Sequence, residues 1–346
     1  MIKPILKWPG GKRWLFPKIQ EILINKFNIY PQVIKNQMPP YHCPTYYEPF
    51  IGGGSIFCSL EPKYSTINDL NPDLMNVYSQ VKNNKDDLIE CLNKLNETYK
   101  IAVDSNTQND FYYLIRKTYN MNLSDKTVEH AAMFIFLNKT CFNGLYRVNS
   151  AGKFNVGPNK LSIKQYNAIK NLYKNIEDMS KLLQNTKLLC GDYKKACEEA
   201  IYGDIVYLDP PYDYEENGFT SYQKENFTKE NTKELRDLAY DLVLRGIIVL
   251  ISNNDTSYIR SLFKEPFWTV EQVIANRNIN SDSSNRKGAK EVIIYHKPMM
   301  EDIVFDRYSA HVSNLVDEQY QERLADVAKN LNDSINDPNN LYKFIV

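Results

Sequence analysis

The chain has 346 residues, 43% hydrophobic and 24% charged, which suits one large globular domain with an insertion or two modest domains. It holds no run of 18 apolar residues and no signal-type segment after Met1-Ile2-Lys3-Pro4, which argues against a membrane protein and for a cytosolic one. Its 42 basic and 42 acidic side chains cancel, yet residues 1–20 carry five basic and no acidic side chains, 101–186 hold 11 against 6, and 299–346 hold 4 against 9, so a polyanionic ligand is not excluded.

Near the N-terminus, Leu6-Lys7-Trp8-Pro9-Gly10-Gly11-Lys12 is either an anchored arm or a ligand loop. As a ligand loop it would offer backbone amides and Lys12 to a carboxylate, with Trp8 as a stacking wall. Thr45-Tyr46-Tyr47-Glu48 predicts a short strand that runs into Pro49-Phe50-Ile51-Gly52-Gly53-Gly54-Ser55. Glycines directly after a strand permit a tight turn and close approach of a ligand; a plain strand-to-helix turn is the alternative. A second strand over 63–68 ends at Asp69, where a carboxylate can accept from both hydroxyls of a ribose. The pair suits any nucleoside-containing cofactor. The loop lacks the last glycine of G-x-G-x-x-G, and the chain has no Walker motif. Asn71-Pro72 then starts a helix with Leu74, Val77, Tyr78 and Val81 at helical spacing.

Residues 101–186 break the α/β alternation. Helices are predicted over 111–119, 128–138 and 162–183, with an extended loop or hairpin over 143–159 in which Tyr146, Val148, Phe154 and Val156 alternate. Asn143-Gly144-Leu145-Tyr146-Arg147-Val148-Asn149 offers an amide and a guanidinium, the groups that read base edges, and Leu145 as a wedge; a polar surface hairpin is the alternative. Strands follow over 187–190, 204–208 and 246–251, with a helix over 229–244. A terminal strand pair covers 268–274 and 291–295, joined by a mobile loop over 276–290.

Ile205-Val206-Tyr207-Leu208 runs into Asp209-Pro210-Pro211-Tyr212, where two prolines stop the strand. A carboxylate, a rigid carbonyl and an aromatic ring at a sheet edge suit a planar amine, although a strand-ending turn would look the same. In the acidic tail, Val312, Leu315, Val316, Tyr320, Leu324, Val327 and Leu331 form a helical stripe. Six cysteines without a C-x-x-C pair and four scattered histidines give no metal centre or disulfide framework.

Taken in order, four of these motifs resemble the Dam-like (D12 class, alpha-group) DNA adenine-N6 methyltransferases, over about residues 5–298. They are Leu6 to Lys12, Glu48 to Ser55, Asp69, and Asp209 to Tyr212; Phe136-Leu137-Asn138 and the stretch from Asn143 to Asn149 add a likeness to that family's target-recognition domain. The resemblance implies a Rossmann-like mixed α/β sheet with a reversed last strand and an inserted helical and hairpin domain. Residues 1–100 and 187–298 would be catalytic, 101–186 would recognise DNA, and 299–346 would be an acidic helical extension. It implies S-adenosylmethionine as cofactor, held by Trp8, Lys12, Gly52, Gly53, Gly54, Asp69, Asp192 and Asp209. Asp209 and the Pro210 carbonyl would accept from N6 of a flipped adenine, and Tyr212 would stack on its ring. Lys7, Asn143, Leu145 and Arg147 would contact double-stranded DNA, with GATC the first candidate target and a restriction endonuclease a candidate partner. One departure affects the target: Phe154-Asn155-Val156 is followed by Gly157-Pro158-Asn159 rather than Pro-Phe-Gly. The alternatives are an amine methyltransferase on RNA or protein and a non-catalytic DNA-binding subunit.

Overall fold

The computed structural model describes residues 2–36, 43–121, 123–159, 163–212, 227–275 and 289–296. In chain order, α1 (Phe16–Phe27) and the short α2 (Pro31–Ile34) precede β1 (Thr45–Glu48), α3 (Ser55–Leu60) and β2 (Tyr64–Asp69). A helical run follows: α4 (Pro72–Asn83), α5 (Lys85–Asp104), α6 (Gln108–Met121), α7 (Val128–Thr140), α8 (Ile163–Lys170) and α9 (Tyr173–Leu183). Then come β3 (Thr186–Cys190), α10 (Tyr193–Ala196), β4 (Ile205–Leu208), α11 (Lys229–Leu244), β5 (Ile248–Asn254), α12 (Ser257–Leu262), β6 (Trp268–Ala275) and β7 (Ala289–His296). No described helix is long and apolar enough to cross a membrane.

The seven strands form one sheet in the order β3-β2-β1-β4-β5-β7-β6. β2 pairs with β3, β1 with β4, and β4 with β5, all in parallel; β7 runs antiparallel between β5 and β6. This is the mixed α/β sheet with a reversed strand that the sequence implies. The strand order turns at the β1–β4 pair, since chain order runs outward from β1 to β2 and β3 on one side and from β4 on the other.

The residues group into two compact units. One combines Glu48–Ala196 with the segment ahead of Pro17; its core includes Tyr99, Tyr112, Tyr119 and Phe136, all buried. The other combines Pro17–Tyr47 with the chain from Cys197; in it β4 and β5 are buried along their whole length, as are Phe263 and Trp268. Each fully buried side chain of Leu or Phe size stabilises by about 1.5–3 kcal/mol relative to exposure.

Three expectations shift. The single helix over 162–183 is two, because Leu172 N–H turns back to Ile169 C=O and tightens the backbone there. Ile169, Leu172 and Ile176 are buried on both sides of the break, so the apolar period runs through it unbroken. Residue 101 lies inside α5, which continues to Asp104 because Tyr99 and Ala102 are buried. The hairpin over 143–159 is no regular ladder but two isolated bridges, Val148 with Phe154 and Cys141 with Pro158. The tail helix and nearly all of the 276–290 loop lie outside the described residues.

Asp73, in the first turn of α4, joins that helix to α6 and α7. Its carboxylate accepts from Tyr119 Oη at 2.8 Å and Lys126 Nζ at 2.6 Å, with His130 Nε2 at 3.6 Å. Burial alone pushes the carboxyl up, but His130, Lys126 and Tyr119 outweigh burial and hold it down at about 2. A carboxyl depressed in the folded state stabilises above its unfolded value of about 3.9, and that contribution vanishes as pH falls through the folded value. Melting temperatures of wild type and Asp73→Asn should therefore differ near neutral pH and converge between about pH 4 and pH 2. A constant gap across that window would remove Asp73 from the balance.

Candidate active site

β1 delivers the chain into the glycine loop. Gly52 (φ +48°) and Gly54 (φ +68°) adopt left-handed backbone, and neighbours enforce the missing side chains. A Cβ at Gly52 would lie 2.8 Å from Trp8 Cδ1, one at Gly53 3.0 Å from Trp8 Cβ, and one at Gly54 2.8 Å from Tyr78 Oη. Gly54 has no side chain to cap α3. Instead the buried carboxylate of Glu48 accepts from Phe57 N–H at 3.0 Å and satisfies the first turn. Tyr78 Oη donates to Gly52 C=O at 2.9 Å and fixes the loop from α4.

Asp69, at the end of β2, holds the same loop. Its Oδ2 accepts from Gly52 N–H at 3.0 Å and its Oδ1 from Asn71 N–H at 2.9 Å. Burial pushes the Asp69 carboxyl up, and these backbone donors oppose the rise. Next to it, the Asn68 amide donates to Pro49 C=O (3.0 Å) and Gly191 C=O (2.9 Å), tying the chain after β1 to the chain after β3. Asp192 accepts from Lys194 N–H at 2.9 Å at the start of α10, where Tyr193 stacks on Phe50 at 4.9 Å. Gly52, Gly53 and Gly54 thus lie in one loop bonded to Asp69, while Asp192 bonds locally to Lys194 N–H and is tied to that loop only through its neighbours Gly191 and Tyr193.

The N-terminal turn lies against the glycine loop. A Cβ at Gly11 would sit 3.1 Å from Ser55 Oγ, and Lys12, 5% exposed, donates to Gly10 C=O at 3.0 Å. Trp8 covers Gly52 and Gly53 with one side and stacks on Tyr146 at 5.1 Å with ring planes 22° apart. The Asn138 side chain brackets Lys7: its Oδ1 accepts from Lys7 N–H (2.9 Å) and its Nδ2 donates to Lys7 C=O (2.8 Å) and Gly144 C=O (3.2 Å). Lys7 thereby sits at the base of the hairpin that carries Asn143, Leu145 and Arg147. Asn143 and Arg147 are exposed and Leu145 is half-buried. Arg147 Nε donates to Asn155 Oδ1 at 2.8 Å across the hairpin.

In the other unit, β4 ends at Asp209-Pro210-Pro211-Tyr212. Asp209 Oδ1 accepts from Ser252 Oγ at 2.6 Å, and Ser252 Oγ also meets Tyr207 Oη at 2.9 Å. Tyr212 Oη donates to Glu291 Oε2 at 3.1 Å. Burial raises the Tyr212 hydroxyl well above its ordinary range, and the carboxylates of Asp209 and Glu291 add to the rise. Chemically the arrangement offers a fixed carboxylate, a proline carbonyl beside it and an aromatic ring held at its far end.

Ser252, Glu291 and Asn68 were not singled out from sequence, whereas Glu48 and Asn138 were read only as parts of motifs and Tyr78 only as part of a helix face. The readable signal was the polar run Ser252-Asn253-Asn254 after the five apolar residues Ile247 to Ile251: β5 begins two residues later than expected and carries all three inside the sheet, buried. Gly246 (φ +74°), expected to open that strand, forms the turn before it.

A family model described as D12 class N6 adenine-specific DNA methyltransferase matches residues 8–279. The chain is 37% identical over 306 residues to the type II methyltransferase M.MjaIII of Methanocaldococcus jannaschii, covering 85% of this chain and 98% of that one. It is 36% identical over 301 residues to the type II methyltransferase M1.LlaDCHI of Lactococcus lactis subsp. cremoris, covering 85% and 95%. Against the DNA adenine methylase of Escherichia coli K12 the identity is 31% over 298 residues, covering 86% and 96%.

Proposed function

The chain belongs to the D12 class N6 adenine-specific DNA methyltransferases, and from that premise we propose that it transfers a methyl group from S-adenosylmethionine to one adenine of a short site in double-stranded DNA. The observation that carries the reading is the acceptor pair ending β4, an Asp209 carboxylate fixed by Ser252 and followed by the Pro210 carbonyl.

The glycine cluster fits the cofactor. Without side chains Gly52 and Gly53 let the indole of Trp8 pack directly on the loop backbone, and Asp69, bonded to the same loop, is a carboxylate of the kind that accepts from ribose hydroxyls. Trp8, Lys12, Gly54 and Asp192 would complete the binding set, with Asp209 at its reacting end. When bound, S-adenosylmethionine supplies an electrophilic methyl group. The turn of strand order at β1–β4 supports the reading, because ligands of open α/β sheets bind outside the carboxyl ends of strands at such a point.

An adenine inside a duplex cannot present N6 in line, so the base must leave the stack. Its amine is a weak nucleophile because the lone pair is delocalised into the ring. Asp209 and the Pro210 carbonyl would accept the two N6 hydrogens and draw that nitrogen toward a tetrahedral form. Tyr212 would stack on the ring, worth roughly 1–3 kcal/mol. Positioning and electrostatics then dominate, with no covalent enzyme intermediate.

Residues 101–186 would serve as the target-recognition domain. Arg147 and Asn143 would read base edges, Leu145 would wedge, and Lys7 would reach the same hairpin. GATC is the first target to test, with other GA-containing sites next. The type II names of two relatives support a further reading, that the chain protects DNA from a partner restriction endonuclease.

Sequencing the DNA of an expression host with modification-sensitive reads tests the whole reading. N6-methyladenine should recur within one short sequence. In Arg147→Ala the modified adenines should spread to related sites or vanish, because a bidentate base contact discriminates by about 1–3 kcal/mol. An unchanged site removes Arg147 from base readout, and host DNA without methyladenine overturns the proposal.

A further inference from the structure

Behind Asp209 and Tyr212 lie two buried polar side chains with no part in the chemistry above. β5 switches from Ile248-Val249-Leu250-Ile251 to Ser252-Asn253-Asn254 without leaving the interior, and Ser252 is fully buried. Polar groups placed there destabilise unless they are bonded. Ser252 Oγ contacts both Asp209 Oδ1 (2.6 Å) and Tyr207 Oη (2.9 Å). An ionised carboxylate only accepts, so the single serine proton points to Asp209, and Tyr207 must donate to Ser252. One line of hydrogen bonds therefore runs from Tyr207 through Ser252 to Asp209, and Ser252 also lies within reach of the Tyr212 hydroxyl. Strand register allows this: Tyr207 pairs with Leu250, and Ser252 shares Leu250's face of the sheet.

On the reversed strand β7, Glu291 pairs with Asn254 and is 3% exposed, yet its Oε2 reaches the Tyr212 hydroxyl at 3.1 Å. A buried carboxylate is a costly way to fill space. Its place makes sense when the tyrosine ring must be held at both ends, by its backbone and by its hydroxyl.

We propose that Ser252 and Glu291 are positioning residues for methyl transfer: Ser252 orients the carboxylate of Asp209, and Glu291 orients the ring of Tyr212. The inference rests on the reading that Asp209 and Tyr212 engage the target adenine. The carboxyl torsion of an aspartate is broad and roughly two-fold, so its oxygens sweep unless one is pinned. Ser252 pins one. A carboxylate that sweeps meets the amine in the right geometry less often, which lowers the rate of transfer without weakening the grip on DNA. A ring released at its hydroxyl end tilts, and its stacking on an extrahelical base weakens.

The test uses the full chain, steady-state methylation kinetics, and the fluorescence of a duplex with 2-aminopurine at the target position found by sequencing. Ser252→Ala should lower kcat roughly 10- to 100-fold at unchanged KM for DNA, the size expected for a misplaced reacting group. Ser252→Thr keeps the hydroxyl and should restore most of the rate. Glu291→Leu should lower the fluorescence plateau, while Glu291→Gln keeps an acceptor oxygen and should preserve it. Where Glu291→Leu fails to fold, Tyr212→Phe removes the same hydrogen bond from the other end and should lower the plateau likewise. An unchanged kcat in Ser252→Ala, or an unchanged plateau in the Glu291→Leu or Tyr212→Phe protein, overturns that residue's assignment. Loss of kcat that Ser252→Thr does not rescue, together with a lowered melting temperature, marks a merely structural role and overturns it as well. Full activity of Asp209→Ala would instead sink the underlying reading.

Discussion

Asp209→Ala is expected to abolish DNA methylation while cofactor binding stays weakened but measurable. The carboxylate would have two tasks at the amine: it accepts one N6 hydrogen, and its charge stabilises the positive charge that grows on nitrogen as the methyl arrives. Two unit charges 4 Å apart interact by about 4 kcal/mol at an effective dielectric near 20, close to three orders of magnitude in rate. Removing one preorganised group at a reacting centre costs about 10²–10³ in kcat by comparison. The alanine variant also strips Ser252 of its acceptor and leaves a buried hydroxyl facing a void. Asp209→Asn separates the tasks, because it keeps a carbonyl acceptor for Ser252 and for the amine but loses the charge. Its rate should fall between those of wild type and alanine. Equilibrium dialysis with labelled cofactor, run beside single-turnover methylation, gives both readouts. Near-normal turnover in Asp209→Ala would refute the mechanism.

The sheet was legible because its strands announce themselves locally. Ile205-Val206-Tyr207-Leu208 is short, apolar and closed by two prolines, and β4 occupies those four residues. Helix α11 spans the expected 229–244, since Thr228 supplies a capping box and Arg245-Gly246 ends it. Partners across the fold were not legible. No spacing announces that Asn138 will bracket Lys7, 131 residues away, or that Glu291 will meet Tyr212, 79 residues away. Trp8 shows the same limit. Read as a wall for a ligand, it lies between Gly52 and Gly53 on one side and Tyr146 on the other, a packing that only long-range contacts reveal. The break at Leu172 was hidden for a different reason: a tightened turn that keeps the apolar face in phase leaves no trace in periodicity.

Asp69→Ala should cost the chain most of its cofactor affinity, and the reason is only partly the ribose. Asp69 already accepts from Gly52 N–H and Asn71 N–H, so it shapes the glycine loop, and under the proposed function it would also offer oxygens to the ligand. Hydrogen bonds to a charged group contribute about 1.5–3 kcal/mol each, so losing two of them at the ligand predicts a drop of roughly 10²–10⁴ in affinity. Asp69→Asn keeps one acceptor oxygen and should lose less. The raised carboxyl adds a pH signature. Burial is the largest influence and favours the neutral acid, while the backbone donors at Asn71 and Gly52 favour the anion. The group therefore protonates at a higher pH than an exposed aspartate, and protonation removes the charge that both the loop amide and a ribose hydroxyl would use. Cofactor affinity measured by calorimetry should fall on acidification, beginning above the ordinary carboxylate range, and Asp69→Asn should flatten that dependence. An affinity that ignores both the substitution and the pH would take Asp69 out of the cofactor site and leave it a brace for the glycine loop alone.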